Sequence, residues 1–209
     1  MFHAGADATV ARHLPTWEAH VGAGNIRLLC GADTLPESRY SDDPRSVACG
    51  LGGHSGVVAM QRFMQMLKIA TEDADDQLIL TEYDTVLFRR PRPIGTGIIV
   101  APLQRNDRPD LYTAPYFPPP IFRMTRETAE FIYAHRYLQP LDSEGGYGDR
   151  WIAALAMKIG LPIHEDHGAF SAPCDMDRPG AVAHALRVVE RGGWAIHGIK
   201  TAAQLQNFI

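Results

Sequence analysis

The run Leu78-Ile79-Leu80-Thr81 leads directly into Glu82-Tyr83-Asp84, two carboxylates one residue apart. Set where a buried strand meets the surface, such a pair forms a grip for a hard divalent cation. That cation prefers oxygen ligands and carries phosphate oxygens with it. The cluster His164-Glu165-Asp166-His167 is also dense in ligand types. It has no third partner at fixed spacing, so it reads as an exposed, solvated turn. Met60, Met64 and Met66 read as packing on a core helix rather than as a metal box.

The elements that must position these groups alternate along the chain. Met1 to His3 reads as the end of a first strand, followed by a small-residue turn and a helix from Ala8 to His20 that Gly22 and Gly24 terminate. Ile26 to Cys30 reads as a short buried strand, and Leu35 to Gly53 as a long loop rich in Pro, Ser, Asp and Gly. Ser55 is placed to cap a helix from Gly56 to Ala70, with Met60, Phe63, Met64 and Leu67 on one face. The strand carrying Glu82 and Asp84 comes next, then a strand from Gly97 to Pro102. Tyr112 to Phe122 reads as a loop or edge segment because of Pro118-Pro119-Pro120. Thr125 caps a helix reaching His135, Ser143 to Gly148 forms a glycine-rich loop, and Asp149 opens a helix to Ile159. Leu161 to His164 reads as a strand. A last helix runs from Pro179 to Gly192-Gly193, and Trp194 to Lys200 crosses back toward the body. This alternation predicts an α/β fold with a mostly parallel central sheet covered on both faces, in a single domain spanning residues 1–209. Ligands of such sheets bind beyond the carboxyl ends of the strands.

Composition narrows the function classes. With 209 residues the chain can bury a full core. A net charge of −4 without a basic block argues against a nucleic-acid or anionic-membrane surface. The sequence has neither an apolar run of membrane-spanning length nor the opening of a signal peptide. Cys30, Cys49 and Cys174 are scattered and odd in number, which fits a reducing compartment. A cytoplasmic protein is expected.

Three features, in order, carry a family resemblance. Thr81-Glu82-Tyr83-Asp84-Thr85-Val86-Leu87-Phe88 resembles the D-x-D motif of the GT-A-fold glycosyltransferases, with Glu in place of the first Asp. Glu144 to Leu155 is similar to that superfamily's glycine-rich loop and following acidic residue. Trp194 to Lys200 is similar to its later metal-binding His with Gly and Lys. The resemblance implies a Rossmann-like α/β/α sandwich. It implies Mn²⁺ or Mg²⁺ held by Asp84, Glu82 and His197, and Lys200 on the diphosphate of a nucleoside-diphosphate sugar. UDP-sugars are the common donors of that superfamily. Ala4, Gly5 and Asp33 match loops that hold the nucleoside, Tyr83 within the acidic motif is expected to contact the donor, and Arg62 is placed to reach the diphosphate. Asp149 matches the general base of inverting members, which takes the proton from the acceptor hydroxyl of a glycan or other alcohol. A carboxylate at the start of a helix is the ordinary explanation of the same residue.

Two departures and two other classes stand beside this reading. Glu82 has a longer side chain than Asp, which can move its contact from the metal to a water or the ribose. The chain is short for this fold, so acceptor recognition would come from loops, a partner, or a larger polypeptide of which this is a module. A nucleotidyltransferase would use a similar sheet but needs a basic, glycine-rich turn after its first strand, and His3-Ala4-Gly5-Ala6-Asp7 has no Lys or Arg. A non-catalytic sugar-nucleotide binder would keep the metal grip without turnover.

Overall fold

The computed structural model describes residues 6–31, 35–49, 56–72, 76–105, 116–117, 121–138, 148–171, 176–178 and 180–208; the side chains of 35, 49, 56–60, 104–105, 116–117 and 148–151 lie outside that description. In chain order the principal elements are helix α1 (Asp7–Val21), strands β1 (Leu28–Gly31) and β2 (Ser46–Cys49), helix α2 (Gly56–Glu72), and strands β3 (Gln77–Thr81), β4 (Thr85–Leu87), β5 (Ile99–Ala101), β6 (Gln104–Arg105), β7 (Tyr116–Phe117) and β8 (Ile121–Thr125). Helices α3 (Arg126–Ala134) and α4 (Gly148–Lys158) follow. Strands β9 (Ile163–Glu165) and β10 (Ala169–Ser171), helix α5 (Ala181–Glu190), strand β11 (Ala195–His197) and helix α6 (Ala202–Leu205) complete the order. The chain is mixed α/β. Among the described residues no helix is long and apolar enough to cross a membrane.

The expected mostly parallel central sheet is not what forms. Among the described residues the strands fall into four small sheets, ordered β1-β2, β10-β11-β4, β3-β8-β5-β9 and β6-β7. Pairs β1–β2, β10–β11 and β5–β9 are parallel, whereas β11–β4, β5–β8 and β6–β7 are antiparallel. The reason lies in the connections. The links β3–β4, β7–β8 and β9–β10 carry no helix and each passes the chain from one sheet to another, so the strands do not add to one sheet through successive helical crossovers. Three of the added strands fall where the sequence reads as a loop, as a loop or edge segment, or as no assigned element. Ser46–Cys49 lies inside the Leu35 to Gly53 stretch, Tyr116–Phe117 sits beside the proline run, and Ala169–Ser171 follows the His164 to His167 cluster.

The chain divides into two compact units. Unit 1 comprises Met1–Gly50, Thr81–Arg92 and His167–Ile209; unit 2 comprises Leu51–Leu80 and Pro93–Asp166. The core of unit 2 gathers Phe63, Met64 and Leu67 from α2, Ile99 and Ala101 from β5, and Phe122 and Met124 from β8. Ala129 and Ile132 of α3 and Ile152 and Leu155 of α4 close it. Of the apolar stripe read on α2, Phe63, Met64 and Leu67 are buried, and the side chain of Met60 lies outside the described residues. Thr125 caps α3 as its position predicts, its side chain accepting from Thr128 N. The solvated-turn reading of His164 to His167 is corrected at Asp166, which is buried and ion-paired to Arg123, with Nη2 at 2.8 Å from Oδ2. Charge alone did not reveal that partner, because Arg123 lies 43 residues earlier, on β8.

Unit 1 is built on the β10-β11-β4 sheet. Alternation along each strand sends Phe170, Ile196 and Val86 to one face and Ser171, His197 and Thr85 to the other. The first row packs against Ala181, Ala185 and Val188 of α5. The chain turns from α5 into β11 through Gly192, at φ +91, and Gly193. A Cβ on Gly193 would meet Val188 O at 2.6 Å, so the turn closes only on glycine.

Candidate metal centre

Glu82, Tyr83 and Asp84 lie in the turn that precedes β4, not within a strand as the sequence suggests. The antiparallel pairing of β4 with β11 sets Thr85 opposite His197. It continues past the strand ends, where Asp84 O accepts from Gly198 N at 3.1 Å and Ile199 N at 2.9 Å. Gly198, at φ +97, lets the backbone turn so that both amides reach that oxygen. Residues more than a hundred positions apart in sequence are thereby locked side by side.

The result is a compact three-residue cluster. One ligand atom each from Glu82, Asp84 and His197 lie within 4.8 Å of one another. His197 Nε2 stands 3.2 Å from Asp84 Oδ1 and 3.6 Å from Glu82 Oε2. The side chains of Asp84 and His197 are 3% and 10% exposed, whereas that of Glu82 is 46% exposed. Asp84 Oδ1 and His197 Nε2 are close enough to attract, yet neither makes a hydrogen bond of acceptable geometry. Two buried potential ligand atoms converging without a hydrogen bond fit a cation between them. An imidazole nitrogen in the set favours Mn²⁺ or another transition ion over Mg²⁺.

On the far side of the ring, His197 Nδ1 lies 2.7 Å from Ser171 Oγ, donated by the adjacent strand β10. Lys200 adds positive field at Asp84. It is exposed, and its backbone N–H donates to Gln204 Oε1 at 2.7 Å. Tyr83 is half-buried, and burial first, then the Asp84 and Glu82 charges, push its hydroxyl above the ordinary tyrosine range.

Helix α1 supplies the frame, which was not recognised from its sequence. β4 is an edge strand, and its backbone groups that turn away from β11 find partners on α1. Thr85 O accepts from Trp17 Nε1 at 2.7 Å, and Leu87 N donates to Thr16 Oγ1 at 3.3 Å. The same helix holds the segment after β11. Lys200 O accepts from Arg12 Nη1 and Thr9 Oγ1, at 3.0 and 3.2 Å. Ile199 O lies 2.6 Å from His13 Nε2. A carbonyl only accepts, so His13 carries its proton on Nε2, and burial lowers its pKa and keeps it neutral. The available signal was the spacing of Thr9, His13, Thr16 and Trp17, which share one helical face.

Of the remaining candidates, Arg62 is on α2 in unit 2, half-buried. Asp149 is the second residue of α4, also in unit 2, and its side chain lies outside the described residues. Ala4, Gly5 and Asp33 fall outside the described residues as well. No protein-family model matches the chain, and no curated protein matches it at a significant level.

The electrostatics of the cluster make a pH prediction. Burial depresses the His197 pKa, but the Asp84 and Glu82 carboxylates outweigh it and raise the metal-free imidazole from 6.5 to about 9. Burial likewise pushes Asp84 up, and His197 and Lys200 outweigh it and hold the carboxyl below 3.8. The His197 term therefore stabilises the metal-free fold fully below pH 6.5 and is lost as pH rises toward about 9. The Asp84 term is present above pH 3.8 and is lost on further acidification. A cation competes with the Nε2 proton, so its affinity should climb with pH by up to about tenfold per unit until His197 is deprotonated. Thermal melts from pH 6 to 8.5 should thus show metal-free stability falling while the Mn²⁺-induced increment grows. Parallel slopes with and without Mn²⁺ would count against the assignment.

Proposed function

We propose that this protein is a metal-dependent glycosyltransferase with a GT-A-like fold, binding Mn²⁺ or Mg²⁺ through Glu82, Asp84 and His197. The donor is a nucleoside-diphosphate sugar, with a UDP-sugar favoured, and the acceptor a hydroxyl group of a glycan or other alcohol. The observation that supports it most is the convergence of buried Asp84 Oδ1 and His197 Nε2, each without a hydrogen bond, beside half-exposed Glu82. Breaking a sugar–phosphate bond builds negative charge on the leaving nucleoside diphosphate, and a divalent cation supplies the countercharge where it develops. Lys200 adds a second positive charge that acts on Asp84, and Glu82, its side chain 46% exposed, leaves the centre open to an incoming diphosphate. On this reading Asp149 is the general base, which makes the transfer inverting.

Calorimetric titration of UDP, GDP, TDP and their sugars, with and without Mn²⁺, tests the proposal. Binding that requires Mn²⁺ and favours UDP is the expected result. A folded protein that binds none of these nucleotides would leave the transferase reading without its donor. Binding without turnover against any hydroxyl acceptor would instead favour a sugar-nucleotide-binding module.

A further inference from the structure

We propose that Ser171 is a positioning residue of the cation site, fixing the His197 proton on Nδ1 so that Nε2 is the nitrogen presented to the metal. The inference rests on the metal reading of the Glu82–Asp84–His197 cluster and assigns a role to a residue outside that cluster. β10 and β11 are parallel with Ser171 directly paired to His197, so both side chains leave the same face of the sheet. Their contact, Oγ to Nδ1, is 2.7 Å, and both residues are buried, 5% and 8% exposed. The opposite ring nitrogen points at two carboxylates, 3.2 and 3.6 Å away.

A neutral imidazole has one N–H and one lone pair, and the hydrogen bond made by one nitrogen decides the state of the other. A hydroxyl can donate or accept, so the Ser171 contact alone leaves the tautomer open. A cation bound between Nε2 and the carboxylates would settle it. Nε2 must then offer its lone pair, the remaining proton sits on Nδ1, and Ser171 Oγ accepts it. Partners of this kind orient a ligating histidine and raise its basicity, and their loss typically costs 10–100-fold in metal affinity. The strand register makes the contact a property of the sheet rather than of a mobile loop.

Two measurements test the role. Long-range ¹H–¹⁵N spectra of the Mg²⁺-saturated protein, with the His197 ring assigned by difference from His197→Gln, should show Nδ1 protonated and Nε2 bare. Calorimetry should show Ser171→Ala binding Mn²⁺ about 10–100-fold more weakly than wild type, with Ser171→Thr, which keeps the hydroxyl, near wild type. Unchanged Mn²⁺ affinity in Ser171→Ala overturns the role of Ser171 alone, whereas a proton on Nε2 in the loaded protein overturns both that role and Nε2 of His197 as a ligand. Wild-type protein that binds neither ion overturns the metal reading and this inference together. Should Ser171→Thr fail to fold, the wild-type ring spectrum and the alanine variant still decide.

Discussion

Asp84→Ala should weaken Mn²⁺ binding by more than ~100-fold, exceeding the usual cost of losing a partner that only orients a ligand. Asp84 is the buried carboxylate of the cluster, its side chain 3% exposed and its Oδ1 turned to His197 Nε2. The backbone that carries it is held by Gly198 N and Ile199 N, which donate to Asp84 O. Those bonds survive truncation of the side chain, so the fold of the sheet should persist. Thermal stability with and without Mn²⁺ is the decisive readout. A ligand at about 100 times its Kd adds about 2.7 kcal/mol to the native state, and only if the native state binds it. Wild type should gain that increment, and Asp84→Ala should gain almost none. A competing account makes Asp84 no more than the counter-ion of a protonated His197. On that account the variant would lose metal-free stability, and wild type would be as indifferent to Mn²⁺ as the variant. The variant also reverses the balance on His197. With the nearest carboxylate removed, burial should dominate and favour the neutral ring, flattening the stability slope between pH 6.5 and 9.

The residues of this cluster were more legible in the sequence than the scaffold that gathers them. Glu82 and Asp84 stand out because two carboxylates directly after an apolar run are costly unless they meet solvent or a cation. His197 is less conspicuous, marked locally only by the Gly198 and Lys200 that follow it. It is drawn to the site by β11 pairing antiparallel with β4, a non-local register that no periodicity encodes. Helices α1, α2 and α3 declared themselves through apolar stripes, a glycine stop and the Thr125 cap. The short strands did not. β2, β7 and β10 are two to four residues long, too short to display alternation, and each lies within or beside a stretch rich in Pro, Gly or charged residues. Missing them, and missing β8 (Ile121–Thr125), which pairs antiparallel with β5, turned a set of small mixed sheets into one continuous parallel sheet. Asp166 illustrates the same limit. Its density of charged neighbours suggested exposure, whereas one guanidinium from a distant strand allows it to be buried.

Asp149→Asn should slow sugar transfer by ~10²–10⁴-fold while leaving Mn²⁺ and donor affinity unchanged, the usual magnitude for removing a general base. Asparagine is nearly isosteric with aspartate but has no carboxylate to take the acceptor proton. It also serves the start of a helix about as well as aspartate does. Asp149 is the second residue of α4, so a purely structural role would cost the variant only the charge–dipole term, about 0.3–1 kcal/mol of stability. The substitution therefore separates the two roles by kind of loss as well as by size. Single-turnover transfer from a saturating UDP-sugar, set beside calorimetric donor affinity, makes the comparison. Unchanged transfer with a small loss of stability would assign Asp149 to the helix end. Equal losses in binding and transfer would assign it to the architecture of the glycine-rich loop before it. The helix start does not weigh against the catalytic role. A carboxylate there is favoured in its ionised form, the form that a general base must hold at neutral pH.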